Sequence, residues 1–148
     1  MALSLEYVAG YIDGEGCILV HKAAATESGR VTPRYDLHVS AYQCSRKVLN
    51  QLSTQFGGKV YTHNRSNRPT MRDSWSWRIS GPSANAFLTL IYPYLVEKKE
   101  QSWLGLEFYA QKQRSTGHQV SDEQVALREG FYLALQAAKR EEDAYLAS

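Results

Sequence analysis

Apolar residues first recur at helical spacing. Leu5, Val8, Ala9 and Ile12 share one side of a helix expected over residues 5–13, with Ser4 placed to cap it. The glycines from Gly14 to Gly16 predict its end. The period then shortens to two. CILVHKA, residues 17–23, reads as a strand, and RYDLHVSAY, residues 34–42, alternates Leu37, Val39 and Ala41 with Arg34, Asp36, His38 and Ser40. Helical spacing returns over 45–56 through Val48, Leu49, Leu52 and Phe56, and Gly57 with Gly58 stops it. KVYTHN, residues 59–64, predicts a third strand. SWSWRIS, residues 74–80, predicts a fourth, with Trp75, Trp77 and Ile79 opposite Ser74, Ser76, Arg78 and Ser80. After Pro82 a helix is expected from Ala84 to Tyr92, then another over 97–113 carrying Trp103, Leu104, Leu106 and Phe108. Ser121 with Gln124 is a capping-box signature for a last helix to about 146, whose apolar positions are Val125, Leu127, Phe131, Leu135 and Leu146.

Helix, two strands, helix, two strands and further helices make an α+β plan: a four-stranded antiparallel sheet with helices on one face. The other face is polar and basic, which a half-solvated antiparallel sheet permits. At 148 residues the chain reads as one domain, with a core over 1–112 and a helical extension over 113–148. No apolar run approaches the ~20 residues of a membrane-spanning helix. MALSLEYVAG lacks the basic start and cleavage site of a secretion signal, so an intracellular protein is expected, in the cytoplasm or an organelle matrix. Cys17 and Cys44 form no CxxC and read as reduced thiols. The four histidines lack zinc-finger spacing, and GxSxG, GxxxxGK and GxGxxG are absent.

Charge changes the picture more. Residues 1–16 carry three acids and no base, residues 17–79 ten bases against three acids, and residues 80–148 seven bases against nine acids. The basic middle coincides with the predicted sheet, which suggests a polyanion-facing surface. A basic β-ribbon fits the major groove of DNA.

One acidic cluster sits where physics opposes it. Asp13 and Glu15 lie between Gly10, Gly14 and Gly16 at a helix C-terminus, the negative end of the macrodipole. The whole stretch, Val8-Ala9-Gly10-Tyr11-Ile12-Asp13-Gly14-Glu15-Gly16, resembles the LAGLIDADG signature of homing endonucleases. Ala9, Gly10, Ile12, Asp13 and Gly16 agree letter for letter, and Glu15 takes the acidic eighth position where the signature has Asp. The element order to about residue 110 is also similar to the family core. In that family two such helices pack together. The resemblance therefore implies that Val8, Ala9, Gly10, Ile12 and Asp13 form an interface, with small residues allowing close approach. It implies that Glu15, with the Gly14 carbonyl, binds Mg²⁺. Mn²⁺ is expected to substitute, and Ca²⁺ to bind without supporting cleavage. Asp13 is expected to hydrogen-bond near the helix terminus instead.

The motif occurs once, so the resemblance implies a homodimer and a palindromic or nearly palindromic double-stranded DNA site. YPYLVEKKEQSWLGL resembles the family segment that brings a basic residue to the active-site edge; Lys98 matches, with Lys99 the neighbouring register. Gln43 resembles a polar residue that holds water near the metal, and Lys47 or Arg46 can reach phosphate. Carrying the strand alternation on from Glu15 gives a DNA face of Leu19, His21 and Ala23; Arg34, Asp36, His38, Ser40 and Tyr42; Lys59, Tyr61 and His63; and Ser74, Ser76 and Arg78. Arg65, Arg68 and Arg72 fall in a loop suited to phosphate contact. The implied activity is magnesium-dependent hydrolysis of one phosphodiester in each strand. The alternatives on this scaffold are an intron maturase, with intron RNA as partner, and a cleavage-inactive DNA-binding protein.

Overall fold

The structure is a computed structural model describing residues 2–25, 32–63, 73–112 and 120–147. Helix α1, Leu5–Glu15, starts at Ser4, whose hydroxyl accepts the Tyr7 N–H at 3.1 Å. It runs two residues past the expected end at 13. Gly14 stays helical with open space where a side chain would stand, so Gly16 alone ends the helix. There the backbone turns extended, its N–H bonds the Ile12 carbonyl, and a Cβ would lie 2.7 Å from that oxygen.

Strand β1 (Gly16–Ala23) follows directly, then β2 (Arg34–Gln43), α2 (Lys47–Phe56), β3 (Lys59–His63), β4 (Ser74–Ser80) and α3 (Gly81–Ile91). A single 3₁₀ turn, Tyr92–Tyr94, leads to α4 (Lys99–Gln111) and α5 (Asp122–Ala147). The sheet is antiparallel throughout, in the order β1-β2-β4-β3. The αββαββα core and the added C-terminal helices are those expected. Helix boundaries moved by up to three residues: α3 begins at Gly81 and α4 at Lys99.

Register sorts the side chains by face. Val39 lies opposite Ile18 and Ile79, Leu37 opposite Val20, and Trp77 opposite Ala41 and Val60. This face carries the core, joined by Val8, Ala9 and Ile12 of α1, Leu49 and Leu52 of α2, Phe87, Leu88 and Ile91 of α3, and Phe108 of α4. Trp77 is fully buried; its indole N–H donates to the Gly57 carbonyl at 2.8 Å and its ring meets Phe87 edge-on. The adjoining Gly58 has φ +84°, and a Cβ there would strike the Arg78 carbonyl at 2.4 Å, so glycine is required.

Helix α5 packs on α4 and on the edge strand β1. Leu135 is buried, with Phe131 packed against the core. At the capping box Ser121 accepts the Gln124 N–H, and the Gln124 side chain donates to the Gln111 carbonyl. Lys22 pairs with Glu129 at 2.8 Å, and the Tyr35 hydroxyl donates to the same carboxylate. Burial, then that carboxylate, push the Tyr35 phenol well above its ordinary range.

Candidate active site and polar sheet face

The acids that close α1 have different fates. The Asp13 carboxylate accepts the N–H of Val96 and of Lys98, both at 2.9 Å. Lys98 is the N-cap residue of α4 and that helix has no cap of its own, so Asp13 serves as one from across the fold. Lys98 reciprocates, its ammonium donating to the Asp13 carbonyl at 2.7 Å. A cation on an orphan carbonyl at a helix C-terminus relieves the unfavourable field there. Glu15, two residues on, is exposed and makes no hydrogen bond or ion pair among the described residues.

Two of the groups near this end of α1, Tyr11 and Glu142, are ones the sequence did not single out as site residues. The Tyr11 hydroxyl is buried without a hydrogen-bond partner among the described residues. Burial, then the nearby Glu15 and Tyr7, raise its pKa, while the neighbouring Gln43 amide works the other way. Gln43 ends β2, and its side-chain oxygen accepts the Cys44 N–H at 2.8 Å. Lys98 is only 8 % exposed, and its ammonium also lies 3.4 Å from Glu142 of α5. Gln101 donates to the other Glu142 oxygen. No periodicity signals Glu142, which stands 44 residues from Lys98. The described residues contain no cluster of three or more His, Cys, Asp or Glu side chains able to hold a metal ion.

The residues expected at an interface differ in their exposure within the protomer. Val8, Ala9 and Ile12 are 0 % exposed in the protomer's own core, because they form the inward stripe of α1. The motif residues left on the surface are Gly10, Gly14 and Glu15, and at both glycines a Cβ would meet nothing within 4 Å. Asp13 is likewise engaged within the chain.

The sheet's second face gathers the predicted polar set in register. Leu19 stands opposite His38, His21 opposite Asp36, Ala23 opposite Arg34, Ser40 opposite Arg78, Tyr42 opposite Ser76, and Lys59, Tyr61 and His63 opposite Arg78, Ser76 and Ser74. Many are held in place. The His21 and His38 rings stack with centroids 4.9 Å apart, Arg78 lies over the Tyr61 ring, and His63 bonds the Ser76 hydroxyl at 2.8 Å. Burial, then His21 and Arg78, lower the His38 pKa.

Three members are less available than expected. Ser40 and Ser76 are 5 % and 2 % exposed, hemmed in by longer neighbours. Asp36 pairs with Arg34 at 2.8 Å and Lys112 at 3.1 Å; burial opposes its charge, but the two cations outweigh it and hold its pKa low. Leu19 lines a groove against Leu135 and Lys139 of α5. Lys47 is the exposed first residue of α2, with Arg46 at its N-cap. Arg65, Arg68 and Arg72 lie outside the described residues.

With this geometry in view, comparison with known proteins is direct. The family described as LAGLIDADG endonuclease matches residues 8–113. The chain belongs to that family. Its fold is similar to that of the homing endonuclease I-CvuI in complex with the I-CreI target, a structure with Mg in which the DNA is not cleaved. The TM-score is 0.67 at 18% identity, over 94% of each chain. It is also similar to the homing endonuclease I-TnaI, with a TM-score of 0.63 at 19% identity over 96% of this chain and 99% of that one. LAGLIDADG homing endonuclease I-GzeII, in complex with its DNA target, gives 0.67 at 17% identity, covering 92% of this chain but 44% of that one. At these identities the likeness is one of fold. Comparison with curated proteins finds no match. Among the described residues no helix is long and apolar enough to cross a membrane.

Proposed function

We propose that this chain is a homodimeric, metal-dependent, site-specific DNA endonuclease that cuts both strands of a palindromic or nearly palindromic site. One observation carries the reading: Glu15 stands exposed and unpaired at the end of a helix whose neighbouring surface is two bare glycines, Gly10 and Gly14. A second α1 can approach there without displacing any side chain of the first. Two copies then bring two Glu15 carboxylates together, which one chain cannot do. The domain spans residues 1–148, and the polar sheet face of each copy lies along one half-site.

The donor set fits a hard divalent cation. The Glu15 carboxylate and the Gly14 carbonyl are both oxygen ligands, and Asp13 is already committed to backbone N–H groups. When bound, such a cation, Mg²⁺ or Mn²⁺, supplies charge stabilisation for the phosphate and acidifies water. The chain's own residues do the rest. Gln43 orients water beside Glu15 for in-line attack on phosphorus. Lys98 places positive charge beneath the scissile phosphate. Arg34, Lys59, Arg78, Lys47 and the neighbouring histidines bind the duplex through phosphate and base edges.

The test is a cleavage selection on a randomised duplex library with Mg²⁺, and with Ca²⁺ as control. Enrichment of near-palindromic sites cut in Mg²⁺ but only bound in Ca²⁺ is expected. Binding without cutting in Mg²⁺ or Mn²⁺ would reduce the protein to a DNA-binding role, and splicing stimulation without DNA cleavage would make it a maturase.

A further inference from the structure

We infer that Glu142, on a helix beyond the matched family segment, is a positioning residue for Lys98, making α5 a working part of the active site. The inference rests on the endonuclease reading above. The family match ends at residue 113, so nothing in it assigns α5 a role in chemistry.

Burying an ammonium as far as that of Lys98 is costly unless hydrogen bonds and an opposite charge meet it. The charged groups around it are few. Its near contact is the Asp13 carbonyl at 2.7 Å, which offers a dipole and no charge. The Asp13 carboxylate is occupied by the N–H groups of Val96 and Lys98. Its chain neighbours Glu97 and Lys99 are exposed to solvent. Glu142, at 3.4 Å, is the carboxylate that pairs with it. Its second oxygen takes a hydrogen bond from Gln101, itself 3 % exposed. Both oxygens of one α5 glutamate thus bond to buried side chains around the α4 N-terminus. That geometry holds the Lys98 ammonium at the end of α1, two residues before Glu15.

A residue that merely anchored α5 would lower stability without its effect on the cleavage rate being coupled to Lys98. The experiment is single-turnover cleavage of a selected site by wild type, Glu142→Gln, Glu142→Asp, Lys98→Met and the Lys98→Met/Glu142→Gln pair. DNA affinity in Ca²⁺ and melting temperature are recorded beside it. Glu142→Gln should slow cleavage about tenfold, with affinity within about twofold of wild type. Glu142→Asp should recover part of the rate. In the Lys98→Met background the Glu142 change should have little further effect, the signature of coupled residues. A wild-type rate in Glu142→Gln overturns the inference, as does a full additive loss in the double variant. If wild type cuts no site, the endonuclease reading itself fails, and this role with it.

Discussion

The two faces of the sheet are made by the same strands and built to opposite rules. On the helix-covered face Ile18, Val20, Leu37, Val39, Ala41, Trp77 and Ile79 are all 3 % exposed or less. On the other, stacked imidazoles, a guanidinium over a phenol ring and a histidine–serine bond hold polar groups in fixed places. Apolar packing draws its stabilisation from area removed from water and needs no direction. The polar face gains little stability from its contacts, since exposed polar pairs contribute about 1 kcal/mol or less each. What those contacts supply is orientation, which a surface that reads another molecule requires. The end of α1 repeats the contrast within three residues: Asp13 is bound into the fold, and Glu15 is left open.

The division can be broken from either side. The largest effect is expected where the open group is removed. Glu15→Gln should lower cleavage at least ~10³-fold while binding in Ca²⁺ and the melting temperature stay near wild type, because Glu15 holds no part of the fold. Single-turnover assays and calorimetry check this together; a cutting Glu15→Gln would remove the residue from the site.

Next comes the core face. Trp77→Ala should cost about 3–5 kcal/mol in denaturant unfolding, since it leaves a cavity against Phe87 and an unpaired Gly57 carbonyl. A cost under ~1 kcal/mol would mean that this face is loosely packed. Arg78→Ala, on the opposite side of the same strand, should weaken DNA binding about tenfold with stability nearly unchanged. Titrations at several salt concentrations would show whether it contacts phosphate, by a shallower salt slope, or a base, by relaxed sequence preference at one position.

The smallest effect is pH-dependent. The folded His38 pKa lies below its unfolded value of 6.5 because burial, His21 and Arg78 disfavour the cation. The unfolded chain therefore binds more protons, and stability falls as pH drops through 6.5. Melting temperatures from pH 8 to pH 5.5 should fall more steeply for wild type than for His38→Gln. Parallel slopes would mean that the stacked pair carries no such penalty.

Much of this was legible in the sequence, and the reason lies in periodicity. The strict alternation of SWSWRIS and RYDLHVSAY fixes which side chains share a face, and the observed register pairs those same sets. The motif pointed to Glu15 because an acid at the negative end of a helix calls for an explanation beyond folding. Helix ends were less legible. Gly14 resembled a stop because glycine disfavours helix, but nothing crowds it, and the steric demand falls on Gly16. A motif read as a string likewise does not say which of its residues the helix turns inward. Val8, Ala9 and Ile12 follow the 3.6-residue period into the core, and Gly10 does not. Glu142 could not be found at all, since its link to Lys98 depends on how α5 docks.

The central claim is that two α1 helices meet across bare glycine surface and unite two Glu15 residues. Sedimentation equilibrium of wild type and Gly10→Arg, with cleavage assayed on the same samples, tests it most directly. A Cβ at Gly10 meets nothing in the protomer, so the variant should fold. Wild type should sediment at twice the 16.7 kDa chain mass and cut, and Gly10→Arg should sediment as a folded monomer that does not cut. A monomeric wild type that cuts both strands, or a Gly10→Arg dimer with full activity, would contradict the account.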